Sequence, residues 1–162
     1  MNPVEQFLQS HNIVYTPYSH DAVFTCEQAE HFHELVPGMI GKNLFLIDRK
    51  SGRKFLFVLP IHKRADLKFL AKEFGVAKLS FWSPELLLEK MWLEPGSVSP
   101  FGLINNKDKD IEFYIDAEIY NAELVNFHPN INTASLSLPR EMFHKYLEII
   151  PYVVHVVDLD SL

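Results

Sequence analysis

Gly41-Lys42-Asn43-Leu44-Phe45-Leu46-Ile47-Asp48-Arg49-Lys50-Ser51-Gly52-Arg53-Lys54-Phe55-Leu56-Phe57-Val58-Leu59-Pro60 is the stretch that decides the fold. Asn43 to Asp48 and Lys54 to Pro60 are apolar runs, and Arg49-Lys50-Ser51-Gly52-Arg53 between them is a basic turn with a glycine in it. Strand-length apolar runs on either side of turn residues read as a β-hairpin.

Upstream, Pro3 to His11 carries Val4, Phe7 and Leu8 at helical spacing. Ile13 to Tyr18 reads as a strand, with Pro17 pointing to an edge or a strand end. Thr25-Cys26-Glu27-Gln28 has the form of a capping box, which predicts a helix to about Leu35 that stops before Pro37-Gly38. Downstream, Asp66 to Phe74 places Leu67, Leu70, Ala71 and Phe74 on one side of a helix, and Gly75 ends it. Ser83-Pro84-Glu85 opens another helix with Ser as N-cap, and its leucine-rich run from Glu85 to Met91 is expected to be largely buried. Phe101 to Ile104, Ile111 to Ala117, Ala122 to Phe127 and Ala134 to Leu138 read as strands, Pro139 to Ile149 as the last helix and Tyr152 to Val157 as a final strand. The interleaving is uneven. It predicts an α/β protein of the α+β kind, with a mixed, mostly antiparallel sheet and helices packed around it. No internal repeat or long linker divides residues 1–162, so a single domain is expected.

The composition suits such a domain: 162 residues, 48% hydrophobic and 22% charged. No run approaches the roughly 18 apolar residues of a membrane-spanning helix. Met1 to Ser10 lacks the features of a secretory signal, so a cytoplasmic location is expected. Cys26 is the only cysteine, which excludes an internal disulfide framework and a Cys-based zinc cluster. The formal charge of -6 argues against bulk nucleic-acid binding, but it is unevenly distributed. From Lys42 to Lys78 ten basic residues face Asp48, Asp66 and Glu73, a balance of +7, while five bases and 18 acids elsewhere give -13. Such segregation fits either one face built for a polyanion or a set of solvated, lysine-rich surfaces.

The usual catalytic motifs are missing: no phosphate loop, no dinucleotide fingerprint and no Gly-x-Ser-x-Gly turn. His31 and His33 stand two apart on the expected helix, a poor chelate, and no metal site is expected. Three segments look unlike core or ordinary turns. Gly38 to Leu46 puts the cation of Lys42 and the amide of Asn43 where a glycine loop enters a strand. Pro95 to Leu103 holds small residues between two prolines, suited to a rigid loop that offers N–H groups to a ligand. His128 to Ser135 supplies an imidazole and polar groups between two strands. Each has a plain structural alternative as a turn or crossover.

Their order adds what none carries alone. Tyr18-Ser19-His20 with Thr25, Gly41 to Leu46, Leu59-Pro60, Gly96-Ser97-Val98-Ser99-Pro100-Phe101-Gly102-Leu103 and His128-Pro129 with Asn132-Thr133 resemble the YbaK-like aminoacyl-tRNA deacylase superfamily. Within it, the resemblance is to the freestanding prolyl-tRNA editing proteins that clear mischarged alanine. It spans nearly the whole chain.

The resemblance implies a partly barrel-like sheet and hydrolysis of the ester between a wrong amino acid and the terminal adenosine of tRNA. It implies no metal, no cofactor and no covalent enzyme intermediate. Such an ester is already activated, so a positioned water and a stabilised oxyanion suffice. On this reading Lys42 anchors the terminal nucleotide and Asn43 bonds the same end of the substrate. The backbone of Ser99, Pro100, Phe101 and Gly102 lines the scissile carbonyl, with Gly102 permitting close approach. His128 and Asn132 border the aminoacyl pocket, and His20 and Thr25 shape its wall. Lys42, Gly102 and His128 are thus the catalytic candidates. Arg49, Lys50, Arg53 and Lys54 of the hairpin turn, with Lys63, Arg64 and Lys68 of a helix from Lys63 to Lys72, are expected to contact tRNA phosphates. The partners expected are the acceptor end of mischarged tRNA(Pro) and prolyl-tRNA synthetase, with a monomeric chain. Removal of cysteine or another small residue from the same tRNA, or a non-catalytic tRNA-binding or synthetase-binding role, are the alternatives.

Overall fold

The hairpin lies in the middle of the sheet, and its first arm is longer than expected. The computed structural model describes residues 2–21 and 36–159. In it β2 (Met39–Asp48) pairs antiparallel with β3 (Lys54–Pro60), from Gly41 opposite Pro60 to Ile47 opposite Lys54. The turn closes through Asp48 N–H on the Arg53 carbonyl at 2.9 Å and Gly52 N–H on the Asp48 carbonyl at 2.7 Å. Gly52 has a φ of 78°, which a residue with a Cβ adopts only under strain. The Asp48 carboxylate is buried and accepts from Ser51 Oγ at 2.7 Å, and that bond holds its pKa below the ordinary carboxylate value.

Strand β3 is buried along almost its whole length because both faces are covered. Phe55, Phe57 and Leu59 join a small cluster with Leu70, Ala71 and Phe74 of helix α2 (Leu67–Phe74). Leu56 and Val58, on the alternate face, enter the main core. That two-sided burial accounts for an unbroken apolar run where a one-sided strand would alternate.

Around the hairpin come helix α1 (Pro3–Ser10), β1 (Thr16–Ser19), β4 (Leu79–Phe81), α3 (Pro84–Met91), β5 (Ile111–Asp116), α4 (Ala117–Asn121), β6 (Leu124–Phe127), β7 (Ala134–Pro139), α5 (Arg140–Ile149) and β8 (Val154–Val157). The strand path is β1-β7-β6-β2-β3-β5-β8, with β4 on β2. The β1/β7, β6/β7, β2/β3 and β2/β4 ladders are antiparallel; β2/β6, β3/β5 and β5/β8 are parallel. The sheet is therefore mixed and mostly antiparallel, as expected. Val4 and Leu8 of α1, Leu87 and Met91 of α3, and Phe143, Tyr146 and Leu147 of α5 close the main core.

The caps match the sequence signals. Asp66 accepts from the N–H groups of Lys68 and Phe69 to start α2, and Gly75 ends it at a φ of 72°. Ser83 accepts from Leu86 N–H at 3.1 Å to start α3.

Three expectations fail. Phe101 to Ile104 is not a strand but part of a 3-10 helix, Pro100–Asn105, capped by Ser99 Oγ, which accepts from Phe101 N–H at 3.0 Å. Proline after a capping serine favours that local turn over extension. Of the three consecutive leucines in α3, Leu88 is 60% exposed, because a 3.6-residue period cannot turn three neighbours inward together. Lys63 and Arg64 precede α2 instead of lying on it. Strand β4 and helix α4 go beyond the sequence expectations; each is too short to show a period. The expected helix at Thr25 to Leu35, with Cys26, His31 and His33, falls outside the described residues. No helix of the described residues is long and apolar enough to cross a membrane.

Candidate active site

The three unusual segments meet at one end of the sheet. Strand β2 runs parallel to β6 with Met39 beside Val125 and Ile40 beside Asn126. Gly41, the next residue of β2, packs against Phe127, which precedes His128. A Cβ at Gly41 would strike the Phe127 ring, with Cδ1 at 3.1 Å and Cζ at 3.2 Å. Glycine there lets β2 close on the start of the His128 loop.

Side-chain hydrogen bonds then stitch the segments together. Asn43 Nδ2 donates to the Val98 carbonyl at 3.4 Å, which joins β2 to the proline-bracketed loop. Ser99 Oγ donates to Asn130 Oδ1 at 3.1 Å, which joins that loop to the third segment. The Thr133 carbonyl accepts from His20 N–H at 3.0 Å, and Asn2 Nδ2 reaches the Pro129 carbonyl at 2.9 Å. Asn43 Oδ1 is buried without a hydrogen-bond partner among the described residues. An orphaned buried acceptor is a place for a ligand's donor.

Two imidazoles face the same region, with ring centroids 6.0 Å apart. His128 Nδ1 lies 3.0 Å from the Ala134 carbonyl and His20 Nδ1 lies 2.8 Å from the Asp21 carbonyl. A carbonyl only accepts, so both Nδ1 atoms carry hydrogen and a neutral ring keeps its lone pair at Nε2. That of His20 faces Ser135 Oγ at 2.9 Å. Burial pushes the His128 pKa below the ordinary imidazole value; the bond to Ala134 opposes this and His20 adds to it. The neutral ring can therefore accept a hydrogen bond from water or an amine at neutral pH. Lys42, half-buried, donates from Nζ to the Lys63 carbonyl at 2.6 Å.

Lys42, Asn43 and His128, a cation, an amide and an imidazole, thus stand on segments that these hydrogen bonds join. Residues 20–146 match the family model described as the aminoacyl-tRNA editing domain. The chain belongs to that family.

Its activity class is accordingly aminoacyl-tRNA deacylase. It is similar to the prolyl-tRNA editing protein ProX of Acetoanaerobium sticklandii, at 36% identity over 84% of this chain and 83% of that protein. It is also similar to prolyl-tRNA synthetase associated domain-containing protein 1 of Danio rerio, at 28% identity over 97% of this chain and 86% of the relative. In fold it matches a crystal structure described as a proposed trans-editing enzyme for prolyl tRNA synthetase, with a TM-score of 0.72 and 18% identity over 98% and 97% of the two chains.

The residues of the proline-bracketed loop are engaged inside the protein. Phe101 is fully buried, edge-on to Tyr146 and Phe127, and Pro100 is buried with its carbonyl bound by Tyr146 Oη at 2.7 Å. Both side chains belong to the core. At Gly102 a Cβ would lie 2.6 Å from Leu93 Cδ1, and its N–H is spent on the Ser99 carbonyl. Packing against Leu93 by itself calls for a glycine there. Ser99 is wholly buried and acts through its bond to Asn130. Asn132 is half-buried in the same loop as His128, and Thr25 lies outside the described residues.

The basic residues divide in two. Arg53 forms a fork with Glu112 at 2.7 and 2.8 Å, Lys54 pairs with Asp110 at 3.4 Å, and Lys63 pairs with Asp116 and Glu118, each at 2.8 Å. These three are engaged internally. Lys50, Arg64 and Lys68 are exposed, as is Arg49, which reaches Ser80 Oγ at 3.4 Å. Lys68 also rims an open groove of about 670 Å³ with Lys72 and Lys78.

The residue that sequence reasoning misses is Asn130. Its φ of 63° places it in the left-handed region, which asparagine tolerates, and there its amide meets Ser99. The Pro129-Asn130 pair is the available turn signal.

Proposed function

We propose that this protein is a freestanding trans-editing enzyme that removes alanine from mischarged tRNA(Pro). The observation that carries the reading is the convergence of Lys42 and Asn43 with the His128 loop through the Asn43–Val98 and Ser99–Asn130 bonds. The names of ProX and of the synthetase-associated relatives support the proline acceptor. A pocket built for proline cannot strongly reject the smaller alanine, so a second site that admits only small residues is needed to clear the error.

In this reading Lys42 holds the terminal phosphate or ribose and so fixes the ester, acting as a point charge and not as a base. Asn43 Oδ1, left unpartnered, accepts from the substrate's hydroxyl or amine. His128 Nε2 and Asn132 face the aminoacyl group and its attacking water. The bond broken joins the acyl carbon to the ribose oxygen. Water adds its oxygen to the carbonyl carbon, and its protons pass to the departing ribose hydroxyl and to solvent. Arg64, Lys68, Lys72 and Lys78, with Arg49 and Lys50 at the hairpin turn, guide the tRNA backbone toward Lys42. The chain works as a monomer in the cytoplasm, with prolyl-tRNA synthetase as the source of its substrate.

The test is deacylation of the alanine, cysteine, serine and proline esters of tRNA(Pro), each also on an unrelated tRNA. Preferential loss of alanine from tRNA(Pro) is the expected result. Preference for cysteine would transfer the assignment to cysteine editing, and a protein that binds every ester and cleaves none would be a binding module.

A further inference from the structure

Lys42 owes its position to a residue distant in sequence. Its Nζ donates to the main-chain oxygen of Lys63 at 2.6 Å, in the connection between β3 and α2. That connection is tied down by the Lys63 side chain, whose ammonium lies 2.8 Å from Asp116 Oδ2 and 2.8 Å from Glu118 Oε2. Asp116 is wholly buried and the Lys63 side chain is 13% exposed, so the pair is shielded from screening. Asp116 ends β5, which runs beside β3 with Ile115 level with Val58. The chain of contacts therefore runs from the rigid centre of the sheet, through an ion pair and one peptide group, to the ammonium of Lys42.

We propose that Lys63, Asp116 and Glu118 form a positioning clamp for Lys42, an inference that rests on the reading of Lys42 as the substrate's anchor. A carbonyl is a fitting acceptor for this task. It orients an ammonium without neutralising it, and two of the three N–H donors of Lys42 remain for the substrate. A carboxylate in the same place would compete with the incoming phosphate. Lys63 prevents that as well, because it binds the two nearby carboxylates and keeps their charge from the anion's path. Asp116 and Glu118 thus hold Lys42 through Lys63 and do not touch substrate.

The experiment compares single-turnover cleavage of the alanine ester of tRNA(Pro) by wild type and by the double variant Lys63→Met with Asp116→Asn. Removing both charges together leaves neither one buried and alone. The same change is made in a Lys42→Ala background. Nitrogen NMR of the lysine ammonium groups reads the Lys42 hydrogen bond without reference to activity. Loss of the clamp should slow cleavage about ten- to a hundredfold, the scale of a misplacement near 1 Å. It should abolish the protected Lys42 signal, and it should have no further effect once Lys42 is alanine. Lys63→Arg, which can still reach both carboxylates, should retain most of the rate. If the double variant fails to fold, Glu118→Gln, which leaves the Lys63–Asp116 contact intact, should show a smaller loss with the same dependence on Lys42. An undiminished rate, a preserved Lys42 signal or an equal loss in the Lys42→Ala background overturns the clamp. Full cleavage by Lys42→Ala alone overturns the reading of Lys42 instead.

Discussion

Gly41→Ala is the smallest change that should damage both the fold and the site. The new methyl would lie 3.1 Å from Phe127 Cδ1 and 3.2 Å from Cζ, with Cε1 nearer still. Ordinary carbon contacts begin at about 3.5 Å, so the ring or the strand must shift by something on the order of 1 Å. The ring has little room: Phe127 is 2% exposed, edge-on to Phe101 at 6.1 Å and against Phe143 at 5.3 Å. Overpacking of this kind costs about 1–3 kcal/mol, or roughly 2–12 °C in Tm for a chain of this size. Because His128 follows Phe127 directly, the shift also displaces it relative to β2, which carries Lys42 and Asn43, and cleavage should fall by about ten- to a hundredfold. Thermal denaturation and single-turnover deacylation read the two effects. Adding Phe127→Leu should recover part of both by returning space to the methyl. If Gly41→Ala keeps the wild-type Tm and rate, the close packing of β2 on β6 does not build the site.

Three further expectations concern the loop, the pH response and the tRNA face. Asn130→Ala should be less stable than Asn130→Gly by about 1–2 kcal/mol, since only alanine is strained at a φ of 63°; equal melting temperatures would remove the left-handed argument. The folded protein holds the His128 pKa down while the unfolded chain protonates near pH 6.5, so this group's contribution is present above that pH and lost as pH falls through the folded value. Urea denaturation at pH 7.5 and 5.5 should therefore show a smaller acid loss in His128→Gln than in wild type, and equal losses would contradict the assignment. Replacing Arg64, Lys68 and Lys72 by Glu should weaken tRNA binding and lower its salt slope by about 0.7–0.9 for each phosphate no longer neutralised. Arg53→Gln, which frees Glu112 and leaves the phosphate-facing cations in place, should keep the slope unchanged.

Legibility differs by level. The hairpin, the caps at Asp66, Ser83 and Gly75, and the ordered polar segments are readable because their signals are local. The 3-10 turn at Pro100 reads wrongly as a strand, since Phe101, Leu103 and Ile104 are apolar in either conformation and only Ser99-Pro100 argues for the turn. Lys63 reads as a tRNA ligand because a lysine in a basic run looks solvated; its partners Asp116 and Glu118 lie over fifty residues away and reach it only through the β3–β5 ladder. The same limit applies to Gly102. A glycine needed for packing against Leu93 cannot be told in sequence from one that admits a ligand. The basic segregation of residues 42–78 is real in number, but Arg53, Lys54 and Lys63 spend their charge on internal pairs.

The most direct measurement is the single-turnover rate of alanine release from tRNA(Pro) by wild type and by Lys42→Ala, under conditions where both are folded and saturated with tRNA. Rapid release by the wild type and its near-abolition in the variant is the predicted result. Equal rates, or no release by either, would contradict an editing site built around Lys42.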